Sequence, residues 1–398
     1  MDWYICEKTE DEYLNRTAGI KAREDLDVIF KQCGMKMINL VVGEDTRTRA
    51  GVISKIMGHI ATKKYWEEKL ACVHEGDTIY IQFPVRNHTV FLASVLKKLV
   101  QKNIRVVLFI HDLEYMRHIK NKSIPFKKKK RMELEEVSVL KNATNIVVHN
   151  HQMKKLMHEA LGIPSEKMIE LDIFDYLIGK EGEKIQERGK RKQGYSCIIA
   201  GNLDKQKSAY VYELPKDIAF DLYGPNYTGQ AGGNICYHGS FPPAELPYEL
   251  EGNFGLVWDG ISVDTCAGVY GEYLKVNNPH KTSLYLASGI PVIIWKEAAL
   301  AEFVEQERVG ITISSLYEIK DIFEKLTEDE YADMLQHAKI ISKRLTNGFY
   351  TKQAIEKERY HDLLFYRNRQ QLICCKASGI EPRQYSPSHS TGTPGVHR

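Results

Sequence analysis

A lysine and two hydroxyl residues, Lys281, Thr282 and Ser283, stand where the sequence predicts the start of a helix. Asn278 is typical of a helix N-cap, and Pro279 suits the first helical position because proline has no backbone N–H to leave unpaired. Free N–H groups, an ammonium group and two hydroxyls together form a favourable site for a phosphate or a diphosphate. The same pattern also fits an ordinary capped helix with a solvated lysine.

The residues that follow predict the elements that hold this site. Leu284, Leu286 and Ala287 can face a core, and Gly289 favours the left-handed backbone that ends a helix. Residues 292–294 are typical of a strand buried on both faces.

Three other predicted strands of the second half end in small or polar residues. These residues are Gly201 and Asn202, Tyr223 and Gly224, and Asp259 with Gly260. A glycine lets the backbone turn sharply or lets a ligand come close. With Lys281, and with Lys205 as a second phosphate contact, they predict a pocket for a nucleotide diphosphate. Taken singly, such glycines more often just separate a strand from a helix.

The sequence His111-Asp112-Leu113-Glu114 follows the strongest predicted strand of the first half. Ligands of parallel sheets bind beyond the carboxyl ends of the strands. His111, Asp112 or Glu114 could therefore take a proton from an attacking hydroxyl, which contributes roughly 10²–10⁴-fold in rate. The alternative is that Asp112 caps the next segment and His111 is structural.

Several classes of site are excluded by missing motifs. No G-x-G-x-x-G follows a strand, which argues against a nicotinamide dinucleotide enzyme. No P-loop sequence is present either, which argues against a P-loop NTPase. The one D-x-D, Asp25 to Asp27, lies in a predicted helix, where residues two apart do not share a face. We therefore expect no metal and no cofactor, and we expect Lys281, Lys205 and the helix N-terminus to neutralise a departing diphosphate.

The chain has 398 residues, of which 43% are hydrophobic and 27% charged. This composition is typical of a globular protein with room for two domain cores. The formal net charge is only +3, which gives no reason to expect nucleic acid as a partner.

The eight cysteines are scattered, and no two form a C-x-x-C pair. In a chain of this length they are typical of buried thiols in a reducing compartment, and not of a disulfide framework or a zinc site. The N-terminus lacks the pattern of a signal peptide, and no apolar window reaches the ~18 residues that span a bilayer. We therefore expect a cytoplasmic protein.

Apolar runs alternate with helical patterns, which predicts an α/β fold with two parallel sheets covered by helices. The predicted strands are residues 3–6, 37–42, 78–83, 104–110, 145–148, 197–200, 220–223, 254–258, 292–294 and 310–313. The other predicted helices are residues 17–33, 49–70, 91–100, 132–140, 152–161, 298–306, 316–326 and 331–345.

A highly charged stretch with almost no apolar residues predicts a linker between the two halves. We expect an N-terminal domain over 1–178, the linker over 179–193 and a C-terminal domain over 194–348. A last helix is expected over 349–373. The polar tail over 374–398 has a composition typical of disorder.

The basic run Lys127–Arg131 is expected in a loop. Such a run is usually just solvated. It could instead contact anionic lipid head groups, with about 1 kcal/mol per residue near the surface. The second interpretation places the protein at the inner face of the membrane.

Part of the chain resembles a known family. The similarity is strongest over residues 258–266, 273–275 and 277–286, with support from 18–23, 110–112, 148–150, 173–176, 200–203 and 223–224. These stretches resemble bacterial β-1,6-galactofuranosyltransferases that build surface polysaccharide. More distantly, they are similar to the glucosyltransferases that extend GlcNAc on serine-rich-repeat adhesins. The resemblance covers roughly residues 1–370.

The resemblance implies a GT-B fold, with two Rossmann-like domains across a cleft and a C-terminal helix that crosses back to the first domain. It implies a UDP-sugar bound by the second domain and a glycan acceptor bound by the first. Lys281 and Lys205 would hold the diphosphate, while Gly201, Asn202, Tyr223 and Gly224 would line the nucleotide end. The loop Gly19–Lys21 and His111 would lie near the acceptor, and Asp112 is our preferred base.

These expectations describe an inverting transfer of galactofuranose from its UDP donor to a growing glycan. Two alternatives remain: a glucosyltransferase that uses UDP-glucose on a GlcNAc-modified glycoprotein, and a non-catalytic partner that binds nucleotide or glycan. The sequence does not decide between a free and a lipid-linked acceptor, or between a monomer and a homo-oligomer.

Overall fold

The computed structural model describes residues 1–9, 18–42, 51–119, 121, 123–179 and 194–360. Met1–Ala354 form one compact unit, and Ile355–Arg398 form a second. In the second unit the described residues, 355–360, are helical. Three expected segments lie outside the described residues. They are the linker (except residue 179), the end of the last expected helix and the whole tail.

The first sheet has six parallel strands in the order β2-β1-β3-β4-β5-β6. The strands are β1 (Asp2–Thr9), β2 (Lys36–Val42), β3 (Thr78–Phe83), β4 (Arg105–Ile110), β5 (Asn145–Val148) and β6 (Met168–Glu170). The central strands are buried along almost their whole length, as expected for a sheet covered on both faces. His111 directly follows β4, so it lies at the carboxyl edge of this sheet.

Helices cover both faces of the first sheet. They are α1 (Ala18–Gln32), α2 (Val52–Lys69), α3 (Leu92–Gln101), α4 (Glu114–His118), α5 (Phe126–Met132), α6 (Ser138–Asn142) and α7 (His151–Leu161). A π-helical turn, Glu133–Val137, joins α5 to α6.

The second sheet also has six parallel strands, in the order β12-β11-β10-β7-β8-β9. The strands are β7 (Ser196–Ala200), β8 (Ala219–Tyr223), β9 (Ile235–Tyr237), β10 (Phe254–Val257), β11 (Val292–Trp295) and β12 (Gly310–Ile313). Counted from β7, this is the Rossmann order 3-2-1-4-5-6. The strand order reverses between β7 and β10, and such a switch point is where ligands of open α/β sheets bind.

The helices of the second half follow the same alternation. They are α8 (Lys205–Ser208), α9 (Leu246–Glu249), α10 (Gly268–Tyr273), α11 (His280–Ala287), α12 (Ala301–Gln306), α13 (Glu318–Lys325) and α14 (Glu328–Thr346). The predicted pair of Rossmann-like domains is thus confirmed. Residues 3–6 and the other predicted strands all fall within strands or within one residue of them, while β6 and β9 were not predicted.

Three local predictions are wrong. The run Lys127–Arg131 is helical and not a loop, because it forms most of α5. Gly19 and Lys21 also lie in a helix, α1, and not in a loop. Asn278 does not cap α11: the N-cap position is Pro279, which makes no side-chain capping bond.

Most of the basic run is held by carboxylates on neighbouring turns. Lys128 and Arg131 both pair with Glu114, at 2.8 and 2.6 Å, and Lys130 pairs with Glu133 at 2.7 Å. Glu114 is therefore held in ion pairs, and pairing with lysine and arginine lowers its pKa despite partial burial.

The burial of the cysteines agrees only in part with the expectation of buried thiols. Cys6, Cys197 and Cys266 are buried, but Cys72 and Cys236 are exposed. Among the described residues, no helix combines the length and apolar character needed to span a membrane.

Candidate active site

The switch point of the second sheet brings two predicted site residues together. Gly201 follows the last residue of β7, and Asp259 comes shortly after β10. Because β7 and β10 are neighbours in a parallel sheet, both residues lie at the same carboxyl edge. The glycine and the carboxylate therefore stand where a Rossmann domain receives its ligand.

The backbones of two glycines come into close contact at this edge. Gly224 has φ +142°, and a Cβ atom there would lie 1.7 Å from the carbonyl oxygen of Gly201. The Gly201 N–H donates to the Tyr223 carbonyl at 2.9 Å, which ties the two strand ends together. Gly224 cannot carry a side chain, so only backbone forms this part of the edge.

Helix α11 begins with polar side chains buried among apolar ones. Thr282 and Ser283 are 0% and 1% exposed, and within the described part of the chain their hydroxyls have no protein partner. Buried hydroxyls are nearly always hydrogen-bonded in folded proteins, so these two stand out as unpaired polar groups. His280 begins the same helix, and burial lowers the pKa of its imidazole to about 3, with a smaller effect from Lys21.

Lys281 links the start of α11 to the end of β10. Its Nζ donates to the carbonyl oxygen of Trp258 and to Asp259 Oδ1, both at 2.9 Å. The side chains of Lys281 and Asp259 are only 14% and 11% exposed. The ammonium group is therefore fixed at the switch point, beside the start of α11.

The two lysines of α8 have different surroundings. Lys205 is exposed, and its Nζ lies 4.8 Å from the ring centroid of Tyr212. Lys207 is half-buried, and burial lowers its pKa, as does repulsion from Lys281 and Arg117, against the attraction of Asp259. Lys207 was missed by the sequence analysis, because residues two apart in a helix face different ways and spacing alone does not say which faces the site.

Arg117 brings a cation from the first domain to the same cluster. Its guanidinium forms an ion pair with Asp112 and lies 5.4 Å from the ring centroids of both Tyr270 and Tyr273. Its charge also reaches Lys207. Asp112 Oδ1 has no hydrogen-bond partner within the described residues.

His111 is bound to its neighbours through one ring nitrogen. Gln82 Nε2 donates to Asp27 Oδ1 at 2.7 Å and to the Arg23 carbonyl at 3.1 Å, so Gln82 Oε1 is the acceptor that faces His111 Nε2 at 2.6 Å. We assign the proton to Nε2, which leaves a lone pair on Nδ1. Burial lowers the pKa of His111 well below its usual value, and so does repulsion from Arg23.

Lys21 is engaged within the first domain. Its ammonium group pairs with Asp25, donates to the Leu177 carbonyl at 2.7 Å and lies 4.7 Å from the ring centroid of Tyr176. Burial raises the pKa of Asp25 to about 6, against the opposing effect of Lys21. Gly19, near the start of the same helix, is exposed.

Asn278 joins the two domains. Its Nδ2 donates to the carbonyl oxygens of His149 and Asp172, at 2.8 and 2.9 Å, and its Oδ1 accepts from Asn150 Nδ2 at 2.6 Å. The side chain is 4% exposed. Its amide is thus used by the protein itself, in bonds that link the two domains.

Two other predicted residues have their side chains engaged nearby. Asn202 Oδ1 accepts from the Asp204 N–H at 3.1 Å. The Tyr223 ring is buried, stacks on His238 at 4.4 Å, and its hydroxyl accepts from the Glu251 N–H at 2.9 Å. The Tyr223 side chain is thus used by the protein itself, whereas Asn202 is exposed and only its Oδ1 is engaged in these bonds.

The cluster as a whole suits an anionic ligand. Three cationic side chains, Arg117, Lys207 and Lys281, meet two carboxylates, Asp112 and Asp259. Preorganised donors of this kind stabilise negative charge that develops on a leaving group.

Comparison with known proteins shows the family of this chain. Two family models match the chain: the glucosyltransferase 3-like N-terminal domain over residues 4–173 and the glucosyltransferase 3-like C-terminal domain over residues 197–358. The beta-1,6-galactofuranosyltransferase WbbI of Escherichia coli (strain K12) is 31% identical, over 87% of this chain and 95% of the relative. Glucosyltransferase 3 of Streptococcus gordonii is 27% identical, over 85% of this chain and 93% of the relative.

Among solved structures, one described as "Trehalose-6-phosphate from E. coli bound with UDP-2-fluoro glucose" has a TM-score of 0.57. It covers 90% of this chain and 98% of its own, at 10% identity, so the likeness concerns the fold, which is GT-B. With the two matched domains and the related galactofuranosyltransferase, this chain belongs to the family of bacterial β-1,6-galactofuranosyltransferases and glucosyltransferase 3-like glycosyltransferases.

Proposed function

We propose that this glycosyltransferase moves galactofuranose from UDP-galactofuranose to a hydroxyl of a growing surface glycan, with inversion at the anomeric carbon. The observation that carries the proposal is the Lys281 ammonium, which Trp258 and Asp259 hold at the Rossmann switch point. The next two residues of α11, Thr282 and Ser283, have buried hydroxyls without a partner among the described residues. The choice of galactofuranose is supported by the name of the relative at 31% identity.

The diphosphate of the donor lies at the N-terminus of α11 in this proposal. The hydroxyls of Thr282 and Ser283 donate to its oxygens, and Lys281 and Lys207 neutralise its charge. Asp259 holds the Lys281 ammonium in place before the donor arrives. The close contact of Gly201 and Gly224 borders the nucleotide end, together with Asn202 and Tyr223. Asn278 stays a predicted donor-binding residue.

Inversion needs one displacement step. The acceptor oxygen forms a bond to the anomeric carbon, the bond from that carbon to the diphosphate breaks, and the proton of the acceptor hydroxyl passes to a base. Asp112 is the base in our first assignment. His111 is the second, because the lone pair on its Nδ1 and its neutral state suit a proton acceptor.

The proposal involves no metal, since cationic side chains take the role that a divalent ion has in other sugar-nucleotide enzymes. The two carboxylates of the D-x-D sequence have separate partners: Asp25 pairs with Lys21, and Asp27 accepts from Gln82. They do not form a joint site.

The acceptor is placed on the first domain, near Gly19, Lys21 and His111. Peripheral contact of α5 with anionic lipid, at the cytoplasmic face of the membrane, stays part of the proposal. It rests on the exposed ring of Phe126, which is 71% exposed, beside the basic run Lys127–Arg131. A lipid-linked acceptor would then lie close by.

A second candidate function is glucosyl transfer from UDP-glucose to a glycoprotein that carries GlcNAc. It is supported by the two glucosyltransferase 3-like family models and by the relative at 27% identity. A non-catalytic role as a nucleotide- or glycan-binding partner is the third.

A donor screen that measures release of UDP tests these assignments. We expect UDP release from UDP-galactofuranose, with little from UDP-glucose or UDP-galactopyranose. Faster release from UDP-glucose would favour the second candidate. Binding of UDP without release from any donor, with or without glycan acceptors, would contradict an enzymatic role.

A further inference from the structure

A carboxylate, a thiol and an imidazole meet at the edge of the second sheet, outside the transfer site. One ligand atom each from Asp221, Cys236 and His238 lie within 4.8 Å of one another. We propose that these three side chains bind one divalent metal ion of borderline softness, such as Zn²⁺.

The backbone register explains why the three side chains converge. Asp221 of β8 is directly opposite Cys236 of β9 in the parallel ladder, so both point to the same face. His238 is two residues beyond Cys236, and its N–H continues the ladder to the Leu222 carbonyl at 3.0 Å. The alternation of a strand therefore places His238 on that same face.

The imidazole is already oriented by its neighbours. His238 Nε2 lies 2.8 Å from Asp221 Oδ1. Its ring is parallel to that of Tyr223, with 4.4 Å between the centroids and an interplanar angle of 3°. Tyr223 is itself buried, and its hydroxyl accepts a hydrogen bond from Glu251. A ring held in this way loses little freedom when it binds an ion.

The chemistry of the three groups selects the kind of ion. A thiolate, a carboxylate and a neutral imidazole carry two negative charges, which match a divalent ion, and the sulfur excludes Mg²⁺ and Ca²⁺. In a tetrahedral zinc site the ligand atoms are ~3.4 Å apart, given bonds of ~2.0–2.3 Å. The present separations are 4.8 Å or less, so small side-chain rotations would bring the three atoms to that spacing. Asp221 and His238 are 19% and 24% exposed and Cys236 is exposed, so water can occupy the fourth position.

Binding needs no oxidant or reductant. The thiol of Cys236 loses its proton to solvent as the sulfur binds the ion. The imidazole stays neutral, with its proton on Nδ1 when Nε2 binds. The affinity therefore rises with pH, because the ion displaces one proton.

The consequence is structural. Strand β9 is only three residues long, and it is joined to β8 by an eleven-residue connection that begins at Gly224. The N–H of Gly224 donates to the Gly239 carbonyl at 2.7 Å, next to His238. A bound ion would clip β9 to β8 and so stiffen the backbone that borders the nucleotide pocket.

Spectroscopic titration with Co²⁺ tests the site in the full-length protein. Cys374 and Cys375 are replaced by serine in every sample, so that the tail supplies no thiol. We expect one equivalent of Co²⁺ to give the visible bands of a tetrahedral ion and a sulfur-to-cobalt charge-transfer band. Cys236→Ser should remove the charge-transfer band, and Asp221→Asn and His238→Ala should weaken binding at least tenfold.

Cys72→Ser is the matched control, because Cys72 is the other exposed thiol among the described residues. It should keep both the bands and the stoichiometry. In parallel, Zn²⁺ should raise the Tm of the parent protein and of Cys72→Ser, and leave that of Cys236→Ser unchanged. Identical cobalt spectra for the parent and Cys236→Ser, or no binding by the parent at micromolar Co²⁺, would overturn the proposal.

Discussion

Lys281 Nζ lies 2.9 Å from Asp259 Oδ1, and both side chains come from the connection between β10 and β11 of the second domain. The pair is largely shielded from water, so each charge depends on the other. A diphosphate that arrives at α11 would share the ammonium group with Asp259. This relation makes Lys281 the sharpest test of the proposed transfer.

Lys281→Ala should lower kcat by about 10²–10³-fold, because one preorganised donor to the leaving group is lost. It also leaves the Asp259 carboxylate unpaired, so the double variant Lys281→Ala/Asp259→Asn should recover stability without recovering kcat. Steady-state kinetics with UDP-galactofuranose and thermal unfolding measure the two effects. Lys216→Ala, at an exposed lysine of the same domain, is the control. Turnover near that of the parent in a folded Lys281→Ala protein would remove the assignment.

Lys207→Ala should weaken the binding of UDP by about tenfold to a hundredfold, since a charge-assisted contact contributes roughly 1.5–3 kcal/mol. Lys205→Ala should have a smaller effect, because Lys205 is exposed and lies on Tyr212. Calorimetric titration with UDP compares the two. A larger loss for Lys205→Ala would restore the assignment made from sequence alone.

The base can be identified from two amide substitutions and a pH profile. If Asp112 is the base, Asp112→Asn should lower kcat by about 10²–10⁴-fold. If His111 is the base, His111→Asn should have that effect. The pKa of His111 is lowered by burial, so this imidazole is neutral at pH 7, and activity that depends on it should be flat near neutrality and fall in acid. Equal activity of both variants and the parent would place the base elsewhere.

Asn278→Ala should destabilise the protein by about 2–5 kcal/mol, because the carbonyl oxygens of His149 and Asp172 lose their donors in a buried place. Asn277→Ala should cost less than about 1 kcal/mol, since Asn277 Oδ1 has no hydrogen-bond partner among the described residues. Urea unfolding measures both. An unchanged free energy of unfolding together with a raised KM would instead support Asn278 as a donor-binding residue.

Glu136 should make stability depend on pH. Burial raises its pKa to about 7, although its carboxylate accepts the N–H groups of Tyr115 and Glu114. Because the pKa of this carboxyl is higher in the folded state than in the unfolded state (~4.5), its contribution to stability is fully present below pH ~4.5. The contribution is lost as the pH rises through about 7. The effect is at most about 3 kcal/mol.

Glu136→Gln should therefore reduce the fall in the free energy of unfolding between pH 5 and 8. Denaturant unfolding at several pH values gives the slope, and Glu159→Gln, at an exposed carboxylate, is the control. A slope as steep in Glu136→Gln as in the parent would show that other buried carboxyls, such as Asp175 with its pKa raised to about 7 by burial, dominate.

The long buried strands could be predicted from sequence because apolar runs specify them directly. Residues 78–83 and 145–148, which are buried at every position, have the predicted bounds. Strands β6 and β9 have only three residues each and lie at sheet edges, and β9 exposes two of its three side chains. A strand of this kind is too short to show an alternating hydrophobic pattern, so only its pairing with the neighbouring strand identifies it.

The site could be predicted in part for a similar reason. Gly201, Asp259 and Lys281 stand at element ends, which the sequence marks with glycine, proline and polar residues. The convergence of Lys207 and Arg117 depends on tertiary structure, because both cations approach the ring of Tyr270, at 5.9 and 5.4 Å from its centroid. The position of Asn278 between two domains likewise follows from contacts more than a hundred residues apart.

The closeness of Gly201 and Gly224 constrains any attempt to redesign this enzyme. Gly224 has no space for a Cβ atom, and Gly201 has φ +138°, which side-chain-bearing residues rarely adopt. A directed-evolution library aimed at new sugar donors would lose most of its members by randomising these two codons. Donor selectivity should therefore be engineered at other positions, with both of these glycines kept.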